Sequence, residues 1–160
     1  MGFAEVSTML WRERDALEQL LYKLVTEQLI VSSGRTRWLA QANEEIEAVL
    51  QQLRGTEVLR AAESDVLAEQ LGLPLGASLA ELAEVADEPW GTLYQEHRRA
   101  LLSLMTEIQQ VTAENRRMLA AGAKAVRETL LSVSETVRTY DASGTAQAAT
   151  DRPRLMDEQA

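Results

Sequence analysis

Residues 89–138, PWGTLYQEHRRALLSLMTEIQQVTAENRRMLAAGAKAVRETLLSVSETVR, decide the fold of this chain. Within them a ladder of positions recurs at alternating intervals of three and four, which places the side chains on one face of an α-helix. The ladder consists of His97, Leu101, Leu104, Ile108, Val111, Asn115, Met118, Gly122, Ala125 and Thr129. Gly122 is the one potential helix breaker between Thr92 and Arg138, so the stretch predicts a single long helix over 89–138.

Two more ladders precede this helix. Leucines and a valine at intervals of seven predict a helix near 4–31, which Ser32-Ser33-Gly34 ends because glycine tolerates the left-handed conformation that follows a helix. A second helix is expected near 36–71, with its apolar face formed by Leu39, Ala42, Ile46, Val49, Leu53, Leu59, Ala62, Val66 and Leu71.

A short helix near 79–86 is predicted between the second and third long helices. Ser78 followed by Glu81 is typical of a capping box at a helix start. The expected fold is therefore all-α, an antiparallel helical bundle or coiled coil of three long helices plus one short helix. We expect residues 1–139 to form a single bundle domain and residues 140–160, which contain few large apolar side chains, to form a disordered, flexible tail.

The composition excludes several classes of protein. The chain has 160 residues, no cysteine, one histidine and a net charge of −9. These counts argue against disulfides, thiolate or multi-histidine metal sites, and nucleic-acid binding, which depends on neutralising phosphates. No apolar run is long enough for a membrane span, and the N-terminus lacks the features of a secretory signal. We expect a cytoplasmic protein that is not an enzyme and needs no cofactor or metal.

The charges are unevenly divided along the chain. Residues 44–96 hold twelve acidic and two basic side chains, a net of −10, whereas bases outnumber acids in 116–138. Charge pairing between the second and third long helices is one explanation. A solvated face is the other, because exposed ion pairs contribute only about 0–1 kcal/mol.

Several single residues allow two interpretations. His97 lies at a core-facing position, where packing or capping is favoured over catalysis. Trp11, Trp38 and Trp90 lie near helix starts, which favours packing at the bundle ends over ligand contact. Asn115 stands on the buried ladder, where a lone amide usually fixes helix register at some cost in stability. Contact between Asn115 and a partner is the alternative.

The length of the last helix predicts a binding surface. At 1.5 Å per residue it should run roughly 75 Å, whereas the second helix reaches roughly 54 Å and covers it only to about residue 124. Exposed apolar side chains beyond that point indicate a partner site in 118–138, with dimerisation or a bent helix as alternatives. The residues predicted to contact the partner are Asn115, Met118, Leu119, Val126, Leu130, Val133 and Val137.

Three stretches, in this order, resemble the FlgN-type flagellar export chaperones. The first is LWRERDALEQLLYKLVTEQLIVSSGRTRWLAQANEEIEAVLQQLRGTEVLRA (10–61), within which GRTRWLAQANEEIEAVL is most similar to actinobacterial members. The second is VTAENRRMLAAG (111–122), and the third is TYDASG (139–144). The family often has two asparagines three residues apart, and here Thr112 replaces the first and Asn115 is kept.

The resemblance implies a chaperone that binds the hook-associated proteins of the hook–filament junction, FlgK-like and FlgL-like, before type III flagellar export. It implies that the last helix binds these clients, with the export apparatus as a further partner, and it leaves monomer and homodimer open. The alternative class is a structural coiled coil or a small helical secreted effector, to which the Trp90-Gly91 pair has some likeness.

Overall fold

The computed structural model describes the backbone of residues 2–143 and the side chains of residues 2–135. Its elements are α1 (Gly2–Ser32), a 3-10 turn (Thr36–Trp38), α2 (Leu39–Gln70), α3 (Leu79–Val85) and α4 (Trp90–Ser143). No strand occurs among the described residues. The prediction of three long helices and one short helix is confirmed, whereas most of the tail predicted over 140–160 lies outside the described residues.

The last helix extends further than predicted. It was expected to end near residue 138, but α4 continues to Ser143. Neither proline nor glycine occurs between Ala123 and Ser143, and Gly144 is the next residue with low helix propensity. The weakly apolar composition of this segment suggested a tail, although its residues are compatible with a helix.

The helix boundaries follow from local backbone chemistry. Gly34 and Gly72 adopt φ values of 70° and 71° after α1 and α2, a left-handed conformation that is costly for other residues. At the start of α3, the Glu81 backbone N–H donates to the Ser78 hydroxyl, and the Ser78 N–H donates to the Glu81 carboxylate at 2.7 Å. The predicted capping box is thus confirmed.

The chain divides into two compact units, one ending at Arg116 and the other beginning at Arg117. In the first unit, α2 runs antiparallel to α1, because Arg60 pairs with Glu13 and Glu45 pairs with Lys23.

By contrast, α4 runs parallel to α1 within this unit. The Tyr94 hydroxyl donates to the Phe3 carbonyl, and the Asn115 amide donates to the Leu24 carbonyl, so both helices advance together.

Two apolar clusters form the core of the first unit. One lies where α1 begins and α3 packs, and its buried members are Val6, Leu10, Leu67, Ala68, Leu82, Ala83 and Tyr94. Trp90 packs on this cluster, with its ring stacked 5.9 Å from that of Phe3. The other cluster lies further along α1 and contains Ala16, Leu17, Leu20, Leu24, Val49, Leu53 and Ile108. The end-of-bundle position expected of Trp90 is confirmed, whereas Trp11 and Trp38 are about half exposed.

The core face predicted for the second half of α2 is wrong. Leu59 and Val66 were expected in the core, but they are 54% and 50% exposed, and Ala62 is also exposed. A count of seven from Leu53 leads to Arg60, which pairs with the buried Glu13. The core-facing side of α2 therefore carries a charged residue, Arg60, where the apolar repeat predicts an apolar one. For this reason the apolar periodicity did not identify the core-facing side.

Gly91 marks the closest approach of α4 to the end of α3. A Cβ atom at this position would lie 3.0 Å from the Ala86 carbonyl oxygen and 3.1 Å from the Ala83 carbonyl oxygen. Both atoms belong to the backbone and cannot rotate away. At Gly55, in the middle of α2, an added Cβ would meet nothing within 4 Å.

We expect Gly91→Ala and Gly55→Ala to change stability in opposite directions. The first should lower the free energy of unfolding by about 1–3 kcal/mol, because the methyl group forces the two segments apart. The second should raise it by about 0.5–1 kcal/mol, because alanine favours the helix. Urea denaturation followed by circular dichroism measures both, and a neutral or stabilising Gly91→Ala would contradict the packing described here.

Asn115 joins α4 to α1. Its side chain is 2% exposed, and its amide nitrogen donates to the Leu24 carbonyl and to the Glu27 carboxylate, each at 2.9 Å. Glu27 is itself only 6% exposed. Asn115 thus donates a hydrogen bond to a carboxylate that is poorly exposed to water. This bond stabilises the fold, in addition to fixing the register of the two helices.

We therefore expect Asn115→Leu to lower the free energy of unfolding by about 1–3 kcal/mol, because Glu27 loses its donor inside the bundle. The double variant Glu27→Leu/Asn115→Leu should recover most of the loss, since both polar groups are then replaced. Chemical denaturation of the two single variants and the double variant tests this coupling. Purely additive effects would show that the bond is not energetically important.

Candidate functional site

The first unit contains buried polar side chains, the kind of group that a reaction centre would use. His97 is fully buried, with its ring edge-on to Trp11 at 4.9 Å and its Nδ1 atom 3.5 Å from Nη1 of Arg14. An arginine can only donate, so this arrangement requires a neutral imidazole that accepts at Nδ1. Burial and the charge of Arg14 hold the pKa of His97 below its usual value of 6.5, against a weaker opposing effect of Glu96.

Glu13 is the second buried polar group. It is 7% exposed and pairs with the guanidinium of Arg60. Burial raises the pKa of Glu13, and the nearby Glu57 raises it further, while Arg60 opposes both effects. A buried pair of this kind is sufficiently explained by the antiparallel contact of α1 with α2.

Neither a metal-binding cluster nor a membrane-spanning helix is found among the residues that the structure describes. Residues 2–135, whose side chains are described, contain no group of three or more histidine, aspartate or glutamate side chains arranged to hold a metal ion. Among the helices of the same residues, none has the length and apolarity needed to cross a membrane.

The largest change in burial along α4 occurs at the boundary between the two units. Ile108 and Asn115 are buried, Met118 is half-buried, and every residue from Leu119 to Ser134 is exposed. The length estimate placed this change near residue 124. Beyond Met118 the ladder positions are Gly122, Ala125 and Thr129, which have little apolar surface to bury. Exposure therefore begins earlier than the helix lengths predict.

The exposed part of α4 has an apolar face, which we call the α4 stripe. It consists of Leu119, Val126, Leu130 and Val133, which are 38%, 60%, 63% and 55% exposed. At 100° per residue these side chains fall within a sector of about 60°. Four large apolar residues on one side of a solvated helix form a surface suited to another helix.

The other side of the same segment is polar. Lys124 and Glu128 form an exposed ion pair at 3.9 Å, and Arg127 is exposed beside the stripe. Leu131 is 51% exposed but projects about 130° away from the centre of the stripe. The segment is therefore amphipathic, and Leu131 provides an internal comparison for the stripe.

The predicted partner-binding residues occupy three different environments. Four of them form the α4 stripe and are brought together on one helix face. Met118 is half-buried in the second unit, and Asn115 is buried in the first. The side chain of Val137 lies outside the described residues. The binding roles of all seven stay predictions, and for Asn115 the contact with α1 is a sufficient structural role.

The sequence reasoning missed a second exposed apolar face, which we call the α2 stripe. It consists of Gly55, Leu59, Ala62 and Val66, all exposed and within a sector of about 60°. Leu59, Ala62 and Val66 had been assigned to the core face of the helix. The interval of six between Leu53 and Leu59 was the available signal, since it departs from the spacing of three, four and seven.

The buried imidazole of His97 makes stability depend on pH. The folded state binds a proton at His97 less readily than the unfolded chain, so the free energy of unfolding should fall as the pH drops below about 6.5. The expected slope is at most about 1.4 kcal/mol per pH unit. The raised pKa of Glu13 acts in the opposite direction at lower pH.

The contribution of the His97 imidazole is measured by comparing the pH dependence of the free energy of unfolding in the wild type and in His97→Gln. Between pH 7.5 and about 5.5, chemical denaturation should show that the free energy of unfolding falls more steeply for the wild type than for the variant. Parallel profiles would show that His97 is protonated equally well in the folded and unfolded chains.

Comparison with known proteins identifies the family. The family described as FlgN protein matches residues 1–148, which is most of the chain. A search of curated proteins gave no match, and a search of solved structures gave none. The family match agrees with the resemblance noted in the sequence and not with a structural coiled coil or secreted effector. The chain belongs to the FlgN family, whose members are flagellar export chaperones of hook-associated proteins and are not enzymes.

Proposed function

We propose that this chain is a cytoplasmic export chaperone for the hook-associated proteins of the hook–filament junction, FlgK-like and FlgL-like, and that the α4 stripe binds them. The observation that carries the proposal is the uninterrupted exposure of Leu119–Ser134 on a helix whose apolar residues keep to one face. The family match supports the class of client, and the exposure of the stripe supports the choice of surface.

The physical basis of binding is burial of the stripe. Full burial of a valine or leucine side chain contributes about 1.5–3 kcal/mol relative to exposure in water. Three or four such side chains can therefore offset the cost of association and of ordering a client helix. A client segment with apolar residues at intervals of three and four would pack along Leu119–Val133 and keep its own apolar face from aggregating.

The neighbouring residues have supporting roles in this proposal. Met118 directly precedes the stripe in the sequence, and Val137 continues the stripe's spacing by one more turn. Asn115 acts indirectly by holding the start of the segment to α1 through the Leu24 carbonyl. Delivery of the bound client to the export apparatus is the step that follows, and the stripe must then release it.

The proposal is tested with the triple variant Val126→Gln/Leu130→Gln/Val133→Gln. Its affinity for a purified FlgK-like or FlgL-like protein from the same organism, measured by calorimetry, should fall by at least about 100-fold, which corresponds to about 2.7 kcal/mol. Its thermal melting should hardly change, because substitutions of exposed residues usually alter stability by less than about 0.5 kcal/mol.

Leu130 and Leu131 provide the matched control. They are adjacent and similarly exposed, yet only Leu130 belongs to the stripe. Leu130→Gln should weaken client binding by about tenfold, whereas Leu131→Gln should leave it unchanged. Equal effects of the two variants, or an unchanged affinity of the triple variant, would exclude the stripe as the client-binding surface.

A further inference from the structure

Gly122 is a feature of the exposed part of α4 that the proposed function does not use. It stands in residues 116–125, RRMLAAGAKA, where every other residue is a strong helix former. Inside a helix, glycine is about four- to fivefold less favourable than alanine, because it loses more backbone freedom on folding. Gly122 is therefore the weak position of an otherwise strongly helical stretch.

The structure gives no packing reason for a glycine at this position. Gly122 lies within α4 and is not among the glycines with a positive φ angle, which are Gly34, Gly72 and Gly76. In the described part of the chain, an added Cβ atom at Gly122 would meet nothing within 4 Å, whereas one at Gly91 would meet two backbone carbonyl oxygens. An alanine would therefore fit at position 122 and would favour the helix.

Gly122 is placed where it affects most of the α4 stripe. Among the residues of α4 with described side chains, Asn115 is the last buried one, and Val126, Leu130 and Val133 all lie beyond the glycine. A helix grows readily from an existing turn, whereas starting a new one is unfavourable by about a thousandfold. Helical structure in the stripe must therefore propagate from the buried part of α4 through Gly122.

We propose that Gly122 limits the affinity of the α4 stripe for its client, an inference that rests on the proposed function. In the free chain, the helix beyond Gly122 exchanges with frayed forms in which Val126, Leu130 and Val133 do not share one face. The client binds the helical form, so the fraction of that form reduces its apparent affinity. Gly122 is thus a positioning residue, which acts on the client only through the helix that carries the stripe.

This role suits a chaperone that must release its client. Alanine at position 122 would form the stripe more completely before the client arrives, and the complex would then be tighter. Glycine leaves part of the ordering of the helix to the binding step, so the same apolar contacts give a weaker complex. The contacts of the stripe determine what binds, and Gly122 determines how tightly it is held.

Gly122→Ala tests the effect on the helix without any client. Amide hydrogen exchange of the free full chain, followed by NMR, should show protection of residues 123–135 raised by about two- to fivefold. Amides of the two core clusters should exchange as in the wild type, and thermal melting should hardly change, because fraying of the exposed part of α4 leaves both clusters intact. Unchanged protection of residues 123–135 would overturn the proposal.

The effect on the client is measured by calorimetry with a purified FlgK-like or FlgL-like protein from the same organism. Gly122→Ala should bind it about two- to fivefold more tightly than the wild type. Gly55→Ala is the matched control, because Gly55 is also exposed within a helix and an added Cβ there meets nothing within 4 Å. It should leave client affinity and the exchange of residues 123–135 unchanged. Equal affinities of Gly122→Ala and the wild type would overturn the proposal.

Ala121 separates an effect on the helix from a direct contact at position 122. At 100° per residue, Gly122 lies about 50° from the centre of the α4 stripe, whereas Ala121 lies about 150° away. Ala121→Gly should therefore lower both protection and client affinity by about two- to fivefold, although it faces away from the client. The double variant Ala121→Gly/Gly122→Ala moves the glycine by one position and should match the wild type. A double variant that binds more tightly or more weakly than the wild type would indicate a direct contact and overturn the proposal.

The two proposals fail in different measurements. An unchanged client affinity of Val126→Gln/Leu130→Gln/Val133→Gln overturns the proposed function, and the exchange measurement on the free chain does not depend on that result. If this triple variant loses the client while Gly122→Ala binds it no better than the wild type, the proposed function stands and the role of Gly122 is excluded.

Discussion

The parallel contact of α1 with α4 is the constraint on which the rest of the structure depends. It is held by two hydrogen bonds far apart, from Tyr94 to the Phe3 carbonyl and from Asn115 to the Leu24 carbonyl. Each bond joins residues that are 91 positions apart in sequence, so the same register holds at both points. A slip of α4 by a single turn would break both bonds and would leave the Glu27 carboxylate without the amide donor.

This fixed register separates the two roles of the last helix. Up to Asn115, α4 contributes to the core with Tyr94 and Ile108. From Leu119 to Ser134 it exposes every residue, and its apolar side chains remain on one face. Because neither core cluster contains a residue of this segment, the segment is available for intermolecular contacts. An amphipathic helix with its apolar side chains exposed on one face is suited to contact with another helix.

Much of the fold could be predicted from the sequence because its signals are local. The breakers Gly34 and Gly72 and the capping box at Ser78 placed the helix ends within a few residues. The core face of α2 could not be predicted, because Arg60 stands on it and is compatible with burial only through Glu13, 47 positions earlier. A charge that is neutralised by a distant partner cannot be identified from periodicity alone.

The candidate site was predictable only in part for the same reason. The apolar spacing of Val126, Leu130 and Val133 is visible in the sequence, and their exposure follows from the length of α4 relative to its neighbours. The contact of Asn115 with Glu27 depends on the register of two helices that are distant in sequence, so the sequence left its role open. The α2 stripe was hidden by the assumption that every apolar residue on a helix faces the core.

The register of α1 with α4 also determines the order in which the newly synthesised chain can fold. The hairpin of α1 and α2 needs only the first 70 residues, and its loop is short, so it can close early at a small entropic cost. The seam between α1 and α4 closes a loop of about 90 residues and must wait until Asn115 has left the ribosome. Until then Glu27 has no amide partner, and Leu20 and Leu24 face water on the side that α4 later covers. Before that point the hairpin leaves uncovered the apolar side chains that pack with Ile108 in the folded chain, and exposed apolar surface of this kind makes a partly folded chain prone to aggregation.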